Sequence, residues 1–421
     1  MLARVARRTG ASSRLIEACG VGASAVLILA LRAPFAIGRL WAEDGSVFLR
    51  QSIQYGVVRP FGRAYAGYYL FVPRLIGAIA SGVPIREAAL TTWLCVAAVV
   101  GWCAATIYAE SEGWLATFPT RALLALSIVL LPALGLEAIG NSSNLQYTLL
   151  FTALVALTGM STNRWSSVNR VAIVTVTALT TPLALFLAPV AALRVLRSRP
   201  RHVDATTLAW ALATVVQFTM ILVGRPPRVH ASGKGLIVTH YNHWVLYGNL
   251  LPKRLASSTV TIAPLAAVIG AFLVVLAAVL AWRRPRRATA VLLLLVPAVG
   301  FAFWMFAGTR YGLPVRYRVF PALCVIWSVL VAWEELLRAF RPRLPVDWRL
   351  SGIVVLVLVL SWVTYWRPAP HRSSGPAWSV ALSTAERRCR NERLSQVAVT
   401  ISPVKRGSKV WAVQLPCHDI E

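Results

Sequence analysis

The chain has 421 residues, 57% of them hydrophobic and only 14% charged, with a formal net charge of +28. Apolar runs of about 17–25 residues recur along most of it, each long enough to cross a bilayer as a helix. That pattern excludes an ordinary soluble fold, whose helices keep a polar face, and a membrane β-barrel, whose signature is alternating segments of about ten residues.

The excess positive charge does not point to nucleic acid, because the basic residues are scattered between apolar segments and do not line one soluble face. Membrane topology accounts for many of them. Arg197 to Arg201, Arg283 to Arg287 and Arg338 to Arg349 form short basic loops, which stay cytoplasmic. Four lysines stand against 39 arginines, a bias expected of a GC-rich genome.

In chain order, a basic start (Arg4, Arg7, Arg8, Arg14) precedes an apolar run from about Val21 to Ile37. The start is expected in the cytoplasm. The run is expected to be a retained anchor, because Arg32 interrupts it and no small-residue cleavage site precedes Trp41. The chain then emerges outside at Trp41-Ala42-Glu43-Asp44-Gly45. Only 15 residues of the chain are acidic, so a Glu-Asp pair at a membrane edge stands out. The amphipathic stretch Val47 to Ile53 keeps the pair against the membrane. A carboxylate beside low-dielectric lipid can act as a general base with a raised pKa. Asp44 is the first expectation for that role and Glu43 the second; the bland alternative is a solvated loop.

The first outer loop spans 39–87, and two topologies fit the region 66–196. In the preferred one, Tyr68 to Val83 lies on the outer leaflet. Spans occupy 88–109, 121–139 and 144–160, and 171–196 is a hairpin turning at Thr180-Thr181-Pro182. In the other, 66–83 crosses the membrane and 171–196 crosses once. A crossing 66–83 puts Arg74 near mid-bilayer at about 2.5–3.5 kcal/mol, whereas an interfacial helix lets Arg74 reach water or phosphate. The remaining spans are expected at 204–223, 261–282, 288–308, 319–337 and 350–366. The expected fold is therefore an all-α polytopic membrane protein with about eleven transmembrane segments and a small β-hairpin tail. It comprises a catalytic membrane domain, 1–366, and an extracytoplasmic tail, 367–421.

Further outer segments carry polar groups. In the loop 224–260, His240, Tyr241, Asn242, His243 and Trp244 suit sugar binding, by ring stacking and hydroxyl hydrogen bonds. Two histidines alone make no metal site. The loop 309–318 carries Arg310, Arg316 and Arg318 against the positive-inside tendency. Guanidinium binds phosphate bidentately, and anionic lipid headgroups satisfy the same chemistry. Arg50, Arg59, Arg63 and Arg74 raise the same choice in the first loop. Glu137, Asn141, Asn144 and Gln146 either line a polar cavity or form a capped connecting turn. Arg32 either snorkels or holds the acidic pair. Cys19, Cys95, Cys103 and Cys324 read as small buried residues. In the tail, Gln396 to Ser402 and Lys409 to Leu415 alternate as strands around a turn at 403–408. Cys389 and Cys417 are placed to staple that hairpin in an oxidising compartment.

The acidic pair after the first helix, the juxtamembrane Gly67-Tyr68-Tyr69-Leu70-Phe71-Val72-Pro73-Arg74-Leu75 and the basic Thr309 to Arg318 together resemble the GT-C glycosyltransferases. This superfamily includes protein O-mannosyltransferases and the aminoarabinose transferases of lipid A. The motifs cover under a tenth of the chain, so their order and sidedness carry the resemblance. It implies a polyprenyl-phosphate sugar donor and a glycan, lipid or protein acceptor of the cell envelope. It also implies inversion, with Asp44 as base, arginines of 309–318 on the leaving phosphate, and Glu43 on the acceptor or on a divalent cation such as Mg or Mn. The metal stays open, since no full ligand set is evident. The short C-terminal tail is expected to stand in place of the soluble carbohydrate-binding domain of several members. A transporter or flippase of a lipid-linked glycan is the non-enzymatic alternative, but neither internal symmetry nor mid-membrane acids are evident. An O-antigen polymerase or ligase is the other, and would lean on His240 and His243.

Overall fold

The computed structural model describes residues 2–134, 137–159, 164–197, 203–224, 241, 245–246, 248–251, 262–283, 286–311, 315–340, 348–366, 374–404 and 410–420. Helices predominate: α1 (Leu2–Arg32), α2 (Arg50–Tyr55), α3 (Phe71–Ser81), α4 (Ala88–Glu110), α5 (Phe118–Leu130), α6 (Leu145–Thr158), α7 (Arg164–Thr180) and α8 (Ala188–Arg197). They continue with α9 (Ala205–Gly224), α10 (Ile262–Arg283), α11 (Arg287–Tyr311), α12 (Val319–Phe340), α13 (Trp348–Val363) and α14 (Trp378–Glu392). Among the described residues, five stretches can cross a membrane by length and composition: Ser13–Arg32, Ile85–Gly113, Ala205–Gly224, Arg287–Ala307 and Arg316–Phe340. Shorter apolar helices surround them. Every residue of α6 is buried, which puts it at the centre of the bundle. α9 instead turns Leu212, Val215, Leu222 and Val223 outward, each at least 60% exposed, as a lipid-facing helix does.

Local chemistry sets the shorter elements. α3 has eleven residues and rises about 16 Å, half of what a bilayer needs. It is also shorter than the expected helix from Tyr68. α5 stops at Leu130 because Leu131 precedes Pro132 and takes extended backbone, ψ 136°, as the proline ring demands. The expected span 121–139 is therefore cut short. Arg32, 5% exposed, donates to the carbonyls of Val129 and, at 2.8 Å, Leu131. It neither snorkels nor holds the acidic pair; it satisfies the carbonyls that end α5. α7 ends at Thr180, and Pro182 opens a 3-10 run, Pro182–Leu187, that leads into α8. The expected hairpin turn is present there. Cys19 is exposed and Cys95 half-exposed, whereas Cys103 and Cys324 are buried.

The alternating helices define two ends. One gathers ion pairs: Arg14–Glu112, Arg170–Glu110, Arg194–Asp204, Arg286–Glu335 and Arg338–Glu334. The other gathers the C-terminus of α1, the N-termini of α6 and α12, and the turn after α7. α7 and the 182–197 stretch run between these ends in opposite directions, since Thr181 bonds Gln146 at one end and Arg194 meets Asp204 at the other.

The C-terminal unit packs α14 against the antiparallel pair β1 (Gln396–Thr400) and β2 (Ala412–Pro416), with Val399 opposite Val413. Inward residues Val397, Val399, Val413 and Leu415 are at most 2% exposed. The Cys389–Cys417 disulfide closes the unit, with Cα atoms 5.7 Å apart. Trp378, Leu382 and Cys389 share a core with Leu40, Leu49 and Ala88, so the unit is docked on the first loop. Breaking this link with Cys417→Ser is expected to remove about 2–4 kcal/mol. The readout is the unfolding temperature of the detergent-solubilised chain: it falls in the variant, and reductant lowers the parent but not the variant. A variant that melts with the parent contradicts this.

Candidate functional site

The acidic pair is placed by the tail. Trp41 forms a parallel bridge with Ser402, and the Ala42 N–H donates to the Ser402 carbonyl at 2.6 Å. Ala42 itself has φ +27°, a conformation an alanine holds only when its surroundings impose it. The Asp44 N–H then donates to the Trp41 carbonyl at 2.7 Å, and the chain enters a π-helical turn, Asp44–Leu49. Gly45 allows a close approach there: a Cβ would sit 2.8 Å from both Ile401 Cδ1 and Val413 Cγ2, which would have to shift.

This geometry points the two carboxylates in different directions. Asp44 is 5% exposed. Its Oδ1 accepts from the Ser142 hydroxyl at 2.6 Å and from the Ser142 N–H at 3.2 Å. Glu43 instead lines a cavity of about 250 Å³ at the same end of the bundle. Around it stand Trp41, Tyr65, Tyr68, Glu137, Asn144, Gln146, Tyr147, Arg316 and Tyr317.

Each wall has a local cause. Tyr65 and Tyr68 exchange backbone hydrogen bonds of 2.9 and 3.2 Å across a two-residue turn. Ala66 at φ +53° and Gly67 at φ +83° give the positive φ pair that such tight turns need. The turn sets both tyrosines beside Glu43, where a helix had been expected from Tyr68. Asn141 Oδ1 accepts from the Asn144 N–H at 2.9 Å, and the Asn144 side chain donates to the Glu137 carbonyl at 3.0 Å. The segment is therefore a capped turn and a cavity wall together. Gln146 accepts from the Thr181 hydroxyl at 3.1 Å and faces the same space.

Burial raises the Glu43 pKa above the ordinary 4.5; Arg316 partly opposes the shift and Glu137 reinforces it. Burial and the nearby Glu43 charge push the Tyr65 phenol up to about 12, so it stays a neutral donor. Arg316 is one-third exposed and ion-paired with Glu137. The pair leaves guanidinium N–H groups beside the cavity. Among the described residues no group of three metal-ligating side chains occurs.

Of the expected site residues, Glu43, Arg316, Asn144 and Gln146 meet at the cavity, while Asp44 and Asn141 sit behind its wall. Arg318 does not line it. Arg310 lies in the last turn of α11, with its side chain outside the described positions. Arg74, expected to reach water or phosphate, is 1% exposed, donates to Gln51 at 2.9 Å and lies 5.9 Å from the Phe48 ring centroid. Tyr241, expected in a sugar-binding loop, is 8% exposed and packs edge-on against Phe301 at 5.0 Å, within the apolar core. His240, Asn242, His243 and Trp244 lie outside the described residues. Tyr65 and Tyr147 were not singled out from the sequence, and Tyr68 and Tyr317 fell in named stretches without being given a role as aromatic walls. An Ala-Gly turn flanked by tyrosines was the available signal for Tyr65 and Tyr68.

No protein-family model matches the chain, and no curated protein matches it. Among solved structures, a likeness is found to the archaeal oligosaccharyltransferase AglB from Archaeoglobus fulgidus in complex with an inhibitory peptide and a dolichol-phosphate. It has a TM-score of 0.45 and 13% sequence identity over 89% of this chain, which spans 58% of that protein's length.

Ser142→Ala removes the shorter of the bonds to buried Asp44. It is expected to cost about 1–3 kcal/mol, read as a lowered unfolding temperature, whereas Ser143→Ala, at the cavity rim, is expected to change little. Equal melting of the two variants contradicts the assignment.

Proposed function

We propose that this chain is a GT-C-type membrane glycosyltransferase that moves a sugar from a polyprenyl-phosphate donor to a cell-envelope acceptor. One observation carries the reading. A carboxylate of raised pKa and a guanidinium face one aromatic-walled cavity at the end of an apolar helical bundle. The sequence resemblance supplies the donor class.

In this reading Glu43, rather than Asp44, takes the proton from the acceptor hydroxyl. The hydroxyl oxygen attacks the anomeric carbon as the bond from that carbon to the phosphate oxygen breaks, with inversion. The prenyl phosphate leaves toward Arg316, whose charge is present whatever the pH. The rings of Trp41, Tyr65 and Tyr68 offer faces for the sugar, and Asn144 and Gln146 offer hydrogen bonds for its hydroxyls. Asp44 fixes the backbone from which Glu43 projects. A divalent cation at Glu43 would add charge stabilisation, and Glu43 and Glu137 are the two carboxylates that line the cavity among the described residues.

Glu43→Gln is expected to abolish transfer in the purified chain supplied with decaprenyl- or undecaprenyl-phosphate sugars and membrane acceptors. Its thermal stability at neutral pH should not fall, because burying the charged carboxylate is unfavourable. A folded Glu43 pKa above the unfolded one means the stability it contributes is greatest below the unfolded pKa and is lost as pH rises through the folded value. Activity runs the other way. A base must be ionised, so kcat/KM is expected to rise with pH through a midpoint above the ordinary carboxylate 4.5. An active Glu43→Gln protein defeats the assignment. Arg316→Ala is expected to raise the donor KM about tenfold to a hundredfold, the loss of a charge-assisted phosphate bond of roughly 1.5–3 kcal/mol. An unchanged donor KM contradicts the phosphate role.

A further inference from the structure

The loop between α2 and α3 carries chemistry that the cavity does not use. Residues 45–86 contain five arginines and no acidic residue. Arg86 meets Glu386. Among the described residues, Arg50, Arg59, Arg63 and Arg74 make no ion pair. Arg74 is buried, but Arg59 and Arg63 are exposed. The Arg63 guanidinium lies 3.9 Å over the Tyr55 ring, which holds it against the loop. Between the two sites the chain turns at Gly56, φ +77°, and presents Val57 and Val58, 49% and 75% exposed. Two outward valines thus lie beside guanidiniums that meet no described carboxylate.

α9 fixes the level of this loop. Its last apolar residues, Leu222 and Val223, are 66% and 75% exposed, as lipid-facing side chains are. The next residue, Gly224, touches the first loop: a Cβ there would lie 2.9 Å from Ala64 Cβ and 3.1 Å from Gly67 Cα. Gln217 donates to the Tyr69 carbonyl at 3.1 Å. Tyr69 thus meets α9 about two turns below its end, and residues 64–67 sit where the apolar span ends, at the depth of lipid headgroups. The 55–63 loop precedes them directly.

We infer that residues 55–63 are a lipid-docking loop, with Val57 and Val58 in the acyl boundary and Arg59 and Arg63 on the phosphates of anionic bilayer lipids. Apolar tips rimmed by basic residues bind interfaces in this way, and guanidinium grips phosphate through charge-assisted bonds. The sugar donor also carries a phosphate, but these arginines are not among the groups lining the cavity. The bilayer lipid is therefore the occupant assigned. α2 succeeds the π-helical turn that begins at Asp44, so docking anchors the segment that carries the acidic pair.

The test uses the full chain in nanodiscs with or without phosphatidylglycerol in phosphatidylcholine, and needs no sugar donor, so its failure leaves the transferase reading untouched. Val58→Cys carries an environment-sensitive fluorophore in a chain with Cys19 and Cys95 replaced by alanine, Cys103 and Cys324 being buried. Spin-labelled lipids are expected to quench the probe, and the lipid fraction for half-maximal quenching should rise about fivefold for each of Arg59→Gln and Arg63→Gln, from about 1 kcal/mol per surface arginine. In the unlabelled chain, phosphatidylglycerol is expected to slow amide exchange over 55–63. A probe that stays in water, or quenching indifferent to both phosphatidylglycerol and the arginines, overturns the inference. So does a probe displaced by a short-chain prenyl phosphate and unaffected by phosphatidylglycerol, which would assign the guanidiniums to the donor.

Discussion

The buried carboxylate of Asp44 ties together two stretches of chain 98 residues apart. Main-chain and side-chain donors of one residue, Ser142, converge on it. A carboxylate with little water access needs such donors, and these fix the angle at which the first loop meets the turn before α6. The aromatic cavity, the direction of Glu43 and the approach of Arg316 all depend on that angle.

The tail supplies the second half of the constraint. Ser402 pairs with the chain at Trp41 and Ala42, and Ile401 and Val413 press on Gly45. A small two-stranded sheet is marginal alone; here it gains a disulfide and a shared core with Leu40 and Leu49. The same contacts hold Ala42 in a left-handed conformation beside the candidate base. Stability stored in the tail thus maintains a backbone shape that the loop would not adopt unaided.

Positive charge is disposed of in several ways. Arg32 is spent on the open carbonyls of α5, and Arg170 on buried Glu110. Arg316 pairs with Glu137 yet keeps contact with the cavity. Arg59 and Arg63 meet no carboxylate among the described residues and lie where lipid phosphate is available. Arginines of similar appearance in the sequence therefore have four different environments, and burial rather than sequence position separates them.

Much of the architecture was legible beforehand. Long apolar runs, the turn at Thr181-Pro182 and the alternating tail strands depend on local periodicity and on proline geometry, which a single sequence displays. Glu43, Asn144, Gln146 and Arg316 were all expected on one side of the membrane, but the sequence left open whether Asn144 and Gln146 line a cavity or form a connecting turn, and it did not bring these four together. The division of labour between Glu43 and Asp44 was not legible either, because adjacent carboxylates look alike until a partner 98 residues away takes one of them. Burial of Arg74 under Phe48, of Tyr241 against Phe301, and the tyrosine-bearing turn at Ala66-Gly67 were likewise hidden. The sequence by itself determined which segments avoid water and which residue types gather at each end of the bundle, since both arise from local polarity. Only the tertiary structure decided which side chain faces the cavity, since that depends on contacts between segments far apart along the chain.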